Sequence, residues 1–204
     1  MRINKKKFIY IISPNKITKN FYKELNSVLK TNKISIFQMR LKKYSYKQKV
    51  LIGKKIKKIC KANNVIFLVN DDPWLVKELD ADGCHLGQND MKIEDARSII
   101  GNKIIGITCH NSVKLAKIAI KSKADYLAFG AFNASKTKKT RYQATTKILN
   151  EVNKITKIPI VAIGGINSYN FKNLLLNNAN FLAISSYIWN NKKYKPKQAI
   201  GNLR

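Results

Sequence analysis

Eight short apolar runs recur along the chain, at 7–13, 34–39, 65–69, 82–85, 103–108, 125–129, 159–163 and 181–184. Each ends at a polar or glycine-containing turn, and each is too short to serve as a buried helix, so each reads as a strand. Helical spacing fills the intervals. Phe21, Leu25, Val28 and Leu29 repeat at three, four and seven behind Thr18, a candidate cap. Val50, Ile52, Ile56 and Ile59 form a stripe opposite Lys54, Lys55, Lys57 and Lys58 between Ser45 and Asn63. Further helices are expected at 74–79, 93–100, from Ser112 through Ala119, at 146–155, at 168–177, and in a short turn opened by Ser185-Ser186. Strands joined through helices lie parallel. Eight such units close into an α/β (β/α)8 TIM barrel, whose lower size limit is roughly 200 residues. All of 1–204 is therefore expected to form a single TIM-barrel domain.

In that fold the active site lies at the C-terminal ends of the strands, which makes the strand-end residues the candidates. The third strand stops at Asn70-Asp71-Asp72-Pro73, and the fourth at Gly87-Gln88-Asn89-Asp90. Asp72, next to Pro73, reads as a helix cap. Asp71 and Asp90 remain, two carboxylates on neighbouring strand ends that could share one hard cation. Magnesium suits them, since it takes oxygen ligands from one or two carboxylates and from substrate phosphates.

Along an extended second strand, Gln38, Arg40 and Lys42 fall on one face. Arginine there is informative, because the chain has five arginines against 35 lysines. The fifth strand leads to Thr108 and His110. After the sixth, Asn133 to Arg141 packs four cations and three hydroxyls into nine residues, either an anion clamp that closes as a lid or a basic surface loop. Gly164-Gly165 and Ser185-Ser186 follow strands seven and eight, where these barrels often bind a phosphate. One phosphate site beside a separate cluster of acids and bases points to two phosphorylated ligands.

A formal net charge of +29 argues at first for a polyanionic partner. The lysines are dispersed over the whole chain, however, and no nucleic-acid-binding motif is present. Nucleic acid is therefore not the expected partner, although such a field draws in phosphorylated substrates. No apolar run approaches the roughly 20 residues of a membrane span. The basic start, Met1 to Lys7, precedes an apolar segment shorter than that of a signal peptide, with no cleavage site after it. The chain is accordingly read as cytoplasmic. Cys60, Cys84 and Cys109 lack metal-ligand spacing and read as buried reduced thiols.

These residues resemble the thiamine phosphate synthase family over almost the whole chain. The resemblance rests on Gln38-Met39-Arg40-Leu41-Lys42, Asn70-Asp71-Asp72, Lys136-Thr137-Lys138 and Ala162-Ile163-Gly164-Gly165-Ile166. Its most distinctive piece is the run from Ala81 to Asp90, Ala-Asp-Gly-Cys-His-Leu-Gly-Gln-Asn-Asp. It implies that Arg40, Lys42, Asn70 and Lys138 hold the diphosphate of an aminopyrimidine substrate beside Gln38, and that Asp71 and Asp90 carry Mg²⁺. It implies that Gly165, Ser185 and Ser186 hold the phosphate of a thiazole partner, with Ser135 and Thr137 in the clamp and Thr108 where a serine is usual. Arg40, Lys42 and Lys138 would stabilise the departing diphosphate. A homo-oligomer is implied by the same analogy. The chain departs from the family at Ala131, at Ala134-Ser135 in place of Pro-Thr, and at Ala144, which bears on loop closure and turnover more than on binding. A related thiazole tautomerase uses a histidine near the end of strand five, matched by His110, but needs neither paired carboxylates nor the Lys-Thr-Lys clamp. A basic nucleic-acid-binding protein is the third reading, and acids at the rim argue against it.

Overall fold

A computed structural model describes residues 7–133 and 142–203. Within them the chain alternates β1 (Ile9–Ile12), α1 (Phe21–Leu29), β2 (Ile34–Met39), α2 (Tyr46–Ala62), β3 (Ile66–Asn70), α3 (Pro73–Leu79), β4 (Gly83–Leu86) and α4 (Ile93–Ile100). It continues through β5 (Ile104–His110), α5 (Val113–Lys121), β6 (Tyr126–Phe129), α6 (Thr146–Ile155), β7 (Ile160–Ile163), α7 (Phe171–Leu176), β8 (Phe181–Ile184), α8 (Ser186–Trp189) and α9 (Pro196–Gly201). Every neighbouring strand pair is parallel, and β1 closes on β8, giving an eight-stranded barrel.

Alternation along the strands sorts side chains into two cores. Residues such as Ile11, Phe37, Val69, Cys84 and Leu127 face outward and pack under the helices. Tyr10, Ile36, Leu68, Tyr126, Val161 and Phe181 fill the barrel interior. Gly106 makes one of these fits: a Cβ there would sit 1.9 Å from Cζ of Tyr126, so the tyrosine ring occupies the space a side chain on β5 would need. All three cysteines are buried and unpaired by disulfides, as expected.

Caps explain several helix starts. Ser45 and Gln48 form a capping box at α2, Asp72 accepts from the Leu75 amide at 3.0 Å with Pro73 at the first helical position, and Ser112 accepts from Leu115 at 3.2 Å. Other expectations are corrected. Thr18 does not cap α1, which starts after Asn20 with no side-chain cap. The buried face of α2 is Gly53, Ile56 and Cys60, with Val50, Ile52 and Ile59 at its margins. Gly53 lies there because a Cβ would meet Leu79 of α3 at 2.4 Å. Helix α7 is shorter than expected, since the Asn170 carboxamide accepts from the Asn167 amide at 2.9 Å and Asn167 accepts from Tyr169 at 2.8 Å, holding a turn instead. The short α9 was not anticipated, for only Ala199 and Ile200 mark its buried side. No helix among the described residues is long and apolar enough to cross a membrane.

Candidate active site

At the C-terminal mouth of the barrel, three neighbouring strand ends converge. Strand β2 stops at Met39, earlier than the alternation through Lys42 requires, and the backbone of Arg40 is stapled to β1 instead: its amide donates to Ser13 Oγ at 2.9 Å. Gln38 still points into the barrel and Lys42 still reaches the β3 tip. Gln38 Nε2 donates to Asn70 Oδ1 at 2.7 Å, and Lys42 Nζ pairs with Asp71 Oδ2 at 3.0 Å. Asp71 adopts a left-handed φ of 64° directly after β3, a region aspartate enters more readily than most residues, which turns the chain out of the strand. A cavity of about 270 Å³ opens alongside, lined by Met39, Leu41, Lys42, Asn70, Asp71 and Met91 among others.

Asp90 comes to the same place from β4. Its loop folds back so that the Gly87 amide donates to Asp90 Oδ2 at 2.6 Å, and its carboxyl lies within hydrogen-bonding reach of Asp71. Burial and the adjacent Asp71 carboxyl raise its pKa, opposed by the Gly87 amide. Two acids held together with one lysine are a hard-oxygen donor set that a divalent cation would relieve of its repulsion. Among the described residues no third acid, histidine or cysteine joins them, which fits an ion that completes its shell with water and phosphate oxygens.

Thr108 and His110 end β5. The Thr108 hydroxyl lies 2.8 Å from His85 Nε2, and its carbonyl accepts from Gln88 Nε2, which ties the β4 loop to the β5 tip. The His110 ring, on a residue with φ of 53°, stacks on Tyr142 at 4.1 Å between centroids. Below the mouth, Asn70, Gln38, Tyr10, Tyr126, His85 and Thr108 are joined by hydrogen bonds. Burial raises both phenol pKa values, that of Tyr126 well above the usual range. Tyr10, Tyr126 and His85 were not among the sequence-expected site residues. Their signal was faint: a tyrosine amid isoleucines at 9–12, and a tyrosine facing Gly106 across a strand pair.

Across the mouth, Gly164 and Gly165 leave β7 with φ of 103° and 59°. A Cβ on Gly164 would meet that of Ala131 at 2.4 Å, so glycine lets the β7 turn lie against the β6 loop. Asn170 Nδ2 donates to the Gly165 carbonyl at 3.0 Å, and Ser185 Oγ donates to the Ser13 carbonyl at 3.3 Å, which anchors the β8 end to β1. Ser186 opens α8 beside it. Gln38, Lys42, Asn70, Asp71, Asp90 and Thr108 thus share one side of the rim, with Gly165, Ser185 and Ser186 on the turns after β7 and β8. Ser135, Thr137 and Lys138 lie outside the described residues.

Comparison with known proteins bears on this geometry. A family model described as thiamine monophosphate synthase matches residues 9–188. A thiamine-phosphate synthase of Pelagibacter ubique is 62% identical over the full length of both chains. One of Erythrobacter litoralis is 38% identical, covering 94% of this chain and 92% of its own. Among solved structures, a thiamine phosphate pyrophosphorylase of Pyrococcus furiosus superposes with a TM-score of 0.86 at 29% identity, covering 98% of this chain and 95% of that one. A parallel eight-stranded barrel with acids at two adjacent strand tips, matched by that model over nearly its whole length, belongs to the thiamine monophosphate synthase family.

Proposed function

We propose that this chain couples an aminopyrimidine diphosphate to a thiazole phosphate, giving thiamine phosphate and diphosphate in thiamine biosynthesis. The observation that carries this reading is the meeting of Lys42, Asp71 and Asp90 at one point of the rim, in a chain so close to a thiamine-phosphate synthase. Arg40, Lys42, Asn70 and Lys138 hold the diphosphate beside Gln38. Asp71 and Asp90 are the residues that would hold Mg²⁺, which when bound neutralises charge on the diphosphate. The C–O bond between the pyrimidine methylene and the diphosphate breaks, and its electron pair leaves with the diphosphate. The thiazole nitrogen supplies the pair for the new C–N bond. Arg40, Lys42 and Lys138 stabilise the charge that gathers on the leaving group, so the work is electrostatic and needs no protein nucleophile. Gly165, Ser185 and Ser186 hold the thiazole phosphate, Ser135 and Thr137 belong to the clamp, and Thr108 borders the pyrimidine side. In this reading 1–204 is one barrel domain, cytoplasmic, acting on small phosphorylated molecules, without nucleic acid or membrane as partner.

The test is thiamine phosphate formation, followed by fluorescence after oxidation, from the two substrates with Mg²⁺. Asp90→Ala is expected to lower kcat/KM by about a hundredfold or more, and EDTA to stop the reaction. Product at an undiminished rate in both would remove the carboxylates from the chemistry. No product from the unaltered protein, with both ligands still bound, would overturn the synthase in favour of the tautomerase.

A further inference from the structure

Holding a diphosphate and a cation at the rim does not require the arrangement beneath it. Six polar side chains from six different strands stand in single file across the barrel interior. Gln38 Nε2 donates to Asn70 Oδ1 at 2.7 Å, and Tyr10 donates to Gln38 Oε1 at 2.7 Å. The Tyr10 and Tyr126 hydroxyls lie 2.9 Å apart, Tyr126 lies 2.8 Å from His85 Nδ1, and His85 Nε2 lies 2.8 Å from Thr108 Oγ1.

Counting protons forces every link of the file to run the same way, in the direction set by the Gln38 carboxamide, whose Oε1 faces Tyr10 and whose Nε2 faces Asn70. Both phenols are fully buried and stay protonated, so each has one proton to give. Tyr10 gives its proton to Gln38, so Tyr126 must be the donor to Tyr10. Tyr126 then has none left for His85, and the imidazole must donate to it from Nδ1–H. With the imidazole neutral, Nε2 is left as the acceptor, and the Thr108 hydroxyl donates to it. Every link therefore runs the same way, from Thr108 to Asn70. Asn70 spends its carbonyl on Gln38, which leaves the two N–H donors of its carboxamide. Thr108 spends its proton on His85, which leaves lone pairs. The opposite orientation would close equally well and would exchange these offers, turning Thr108 into a donor and Asn70 into an acceptor.

We propose that this file is a polarity relay: Tyr10, Tyr126 and His85, the last as its Nδ1–H tautomer, are positioning residues that set Asn70 as donor and Thr108 as acceptor. The relay deepens, and rests on, the ligand assignment above. An anionic diphosphate needs the Asn70 donors, and the exocyclic amine of an aminopyrimidine needs an acceptor such as Thr108. A substrate with the reverse pattern would meet two mismatched ends, so the relay also discriminates between heteroaromatic rings.

The chain has two histidines, His85 and His110, which makes ¹⁵N-histidine NMR a direct reading of the tautomer. His110→Gln assigns the signals. In the unaltered protein His85 is expected as Nδ1–H with Nε2 unprotonated. Tyr10→Phe removes the acceptor for the Tyr126 proton, which turns to His85 Nδ1 and moves the imidazole proton to Nε2, although Tyr10 stands two links from His85 in the file, with Tyr126 between them. The same variant is expected to raise KM for the aminopyrimidine diphosphate about tenfold and to leave KM for the thiazole phosphate unchanged. An Nε2–H tautomer in the unaltered protein overturns the relay, even if Tyr10→Phe fails to fold. An unchanged tautomer in a folded Tyr10→Phe overturns it too, and a switched tautomer with unchanged KM overturns its positioning role. A switched tautomer in a protein that makes no thiamine phosphate upholds the relay and overturns only the assignment of substrates.

Discussion

Lys42 holds Asp71 at 3.0 Å with its own side chain 56% exposed, and an ion pair so open to water adds at most about 1 kcal/mol to stability. Its value lies in what it offers an incoming anion. Lys42→Met is expected to raise KM for the aminopyrimidine diphosphate about tenfold, the worth of one charge-assisted hydrogen bond, while unfolding free energy moves by less than about 1 kcal/mol. An unchanged KM would take Lys42 out of the diphosphate site. Gly106 is the opposite kind of residue, one whose importance is purely spatial. In Gly106→Ala the new methyl meets the Tyr126 ring at 1.9 Å, with the ring walled in by the barrel. The expected cost is at the upper end for overpacking, about 3 kcal/mol in denaturant unfolding. A loss below about 1 kcal/mol would show that the interior yields more easily than this packing implies.

Helices α2 and α3 are joined to the approach to β5 by one exposed carboxylate. Asp80, at the C-terminal cap of α3 with a left-handed φ of 47°, accepts from Lys103 at 2.8 Å and from Lys57 of α2 at 2.7 Å. The Lys103 hydrogen bond first, and the Lys57 bond next, lower its pKa to about 2. An unfolded chain leaves aspartate near about 3.9, above the folded value. The stabilisation is therefore complete above about pH 4 and is lost as pH falls through about 2. Asp80→Asn is expected to flatten that part of the acid-stability curve in thermal melts between pH 5 and 2, by a modest amount because the site is exposed. An unaltered curve would mean that the two lysines hold nothing there. The element boundaries show what local pattern conveys. Ser45, Asp72 and Ser112 cap as read because a cap needs only its own next few residues. Helix α1 starts later than Thr18 suggests, and α9 went unseen, because each is positioned by packing against the other.

For the barrel as a whole the dominant long-range term is the net charge of +29, spread around the molecule as mutual repulsion. Raising the ionic strength from 0.01 to 0.15 M shortens the screening length from about 30 to about 8 Å. Thermal stability is expected to rise across that range while kcat/KM for the doubly anionic substrates falls, since screening relieves repulsion and weakens steering together. A melting temperature indifferent to salt would show the charges to be locally compensated. The eightfold alternation, the parallel closed barrel and the strand-end positions of Gln38, Asn70, Asp71 and Thr108 could be read in one dimension. Strand and helix periodicities are local, and this fold brings every strand end to the same mouth. The interior file could not be read that way. Tyr10 and Tyr126 stand 116 positions apart and touch only because β1 closes on β8, and Asp71 and Asp90 act on each other only once β3 and β4 pair in register. Which polar groups share a proton or repel one another depends on distances of a few ångströms across the closed barrel, and those exist only after the chain has folded.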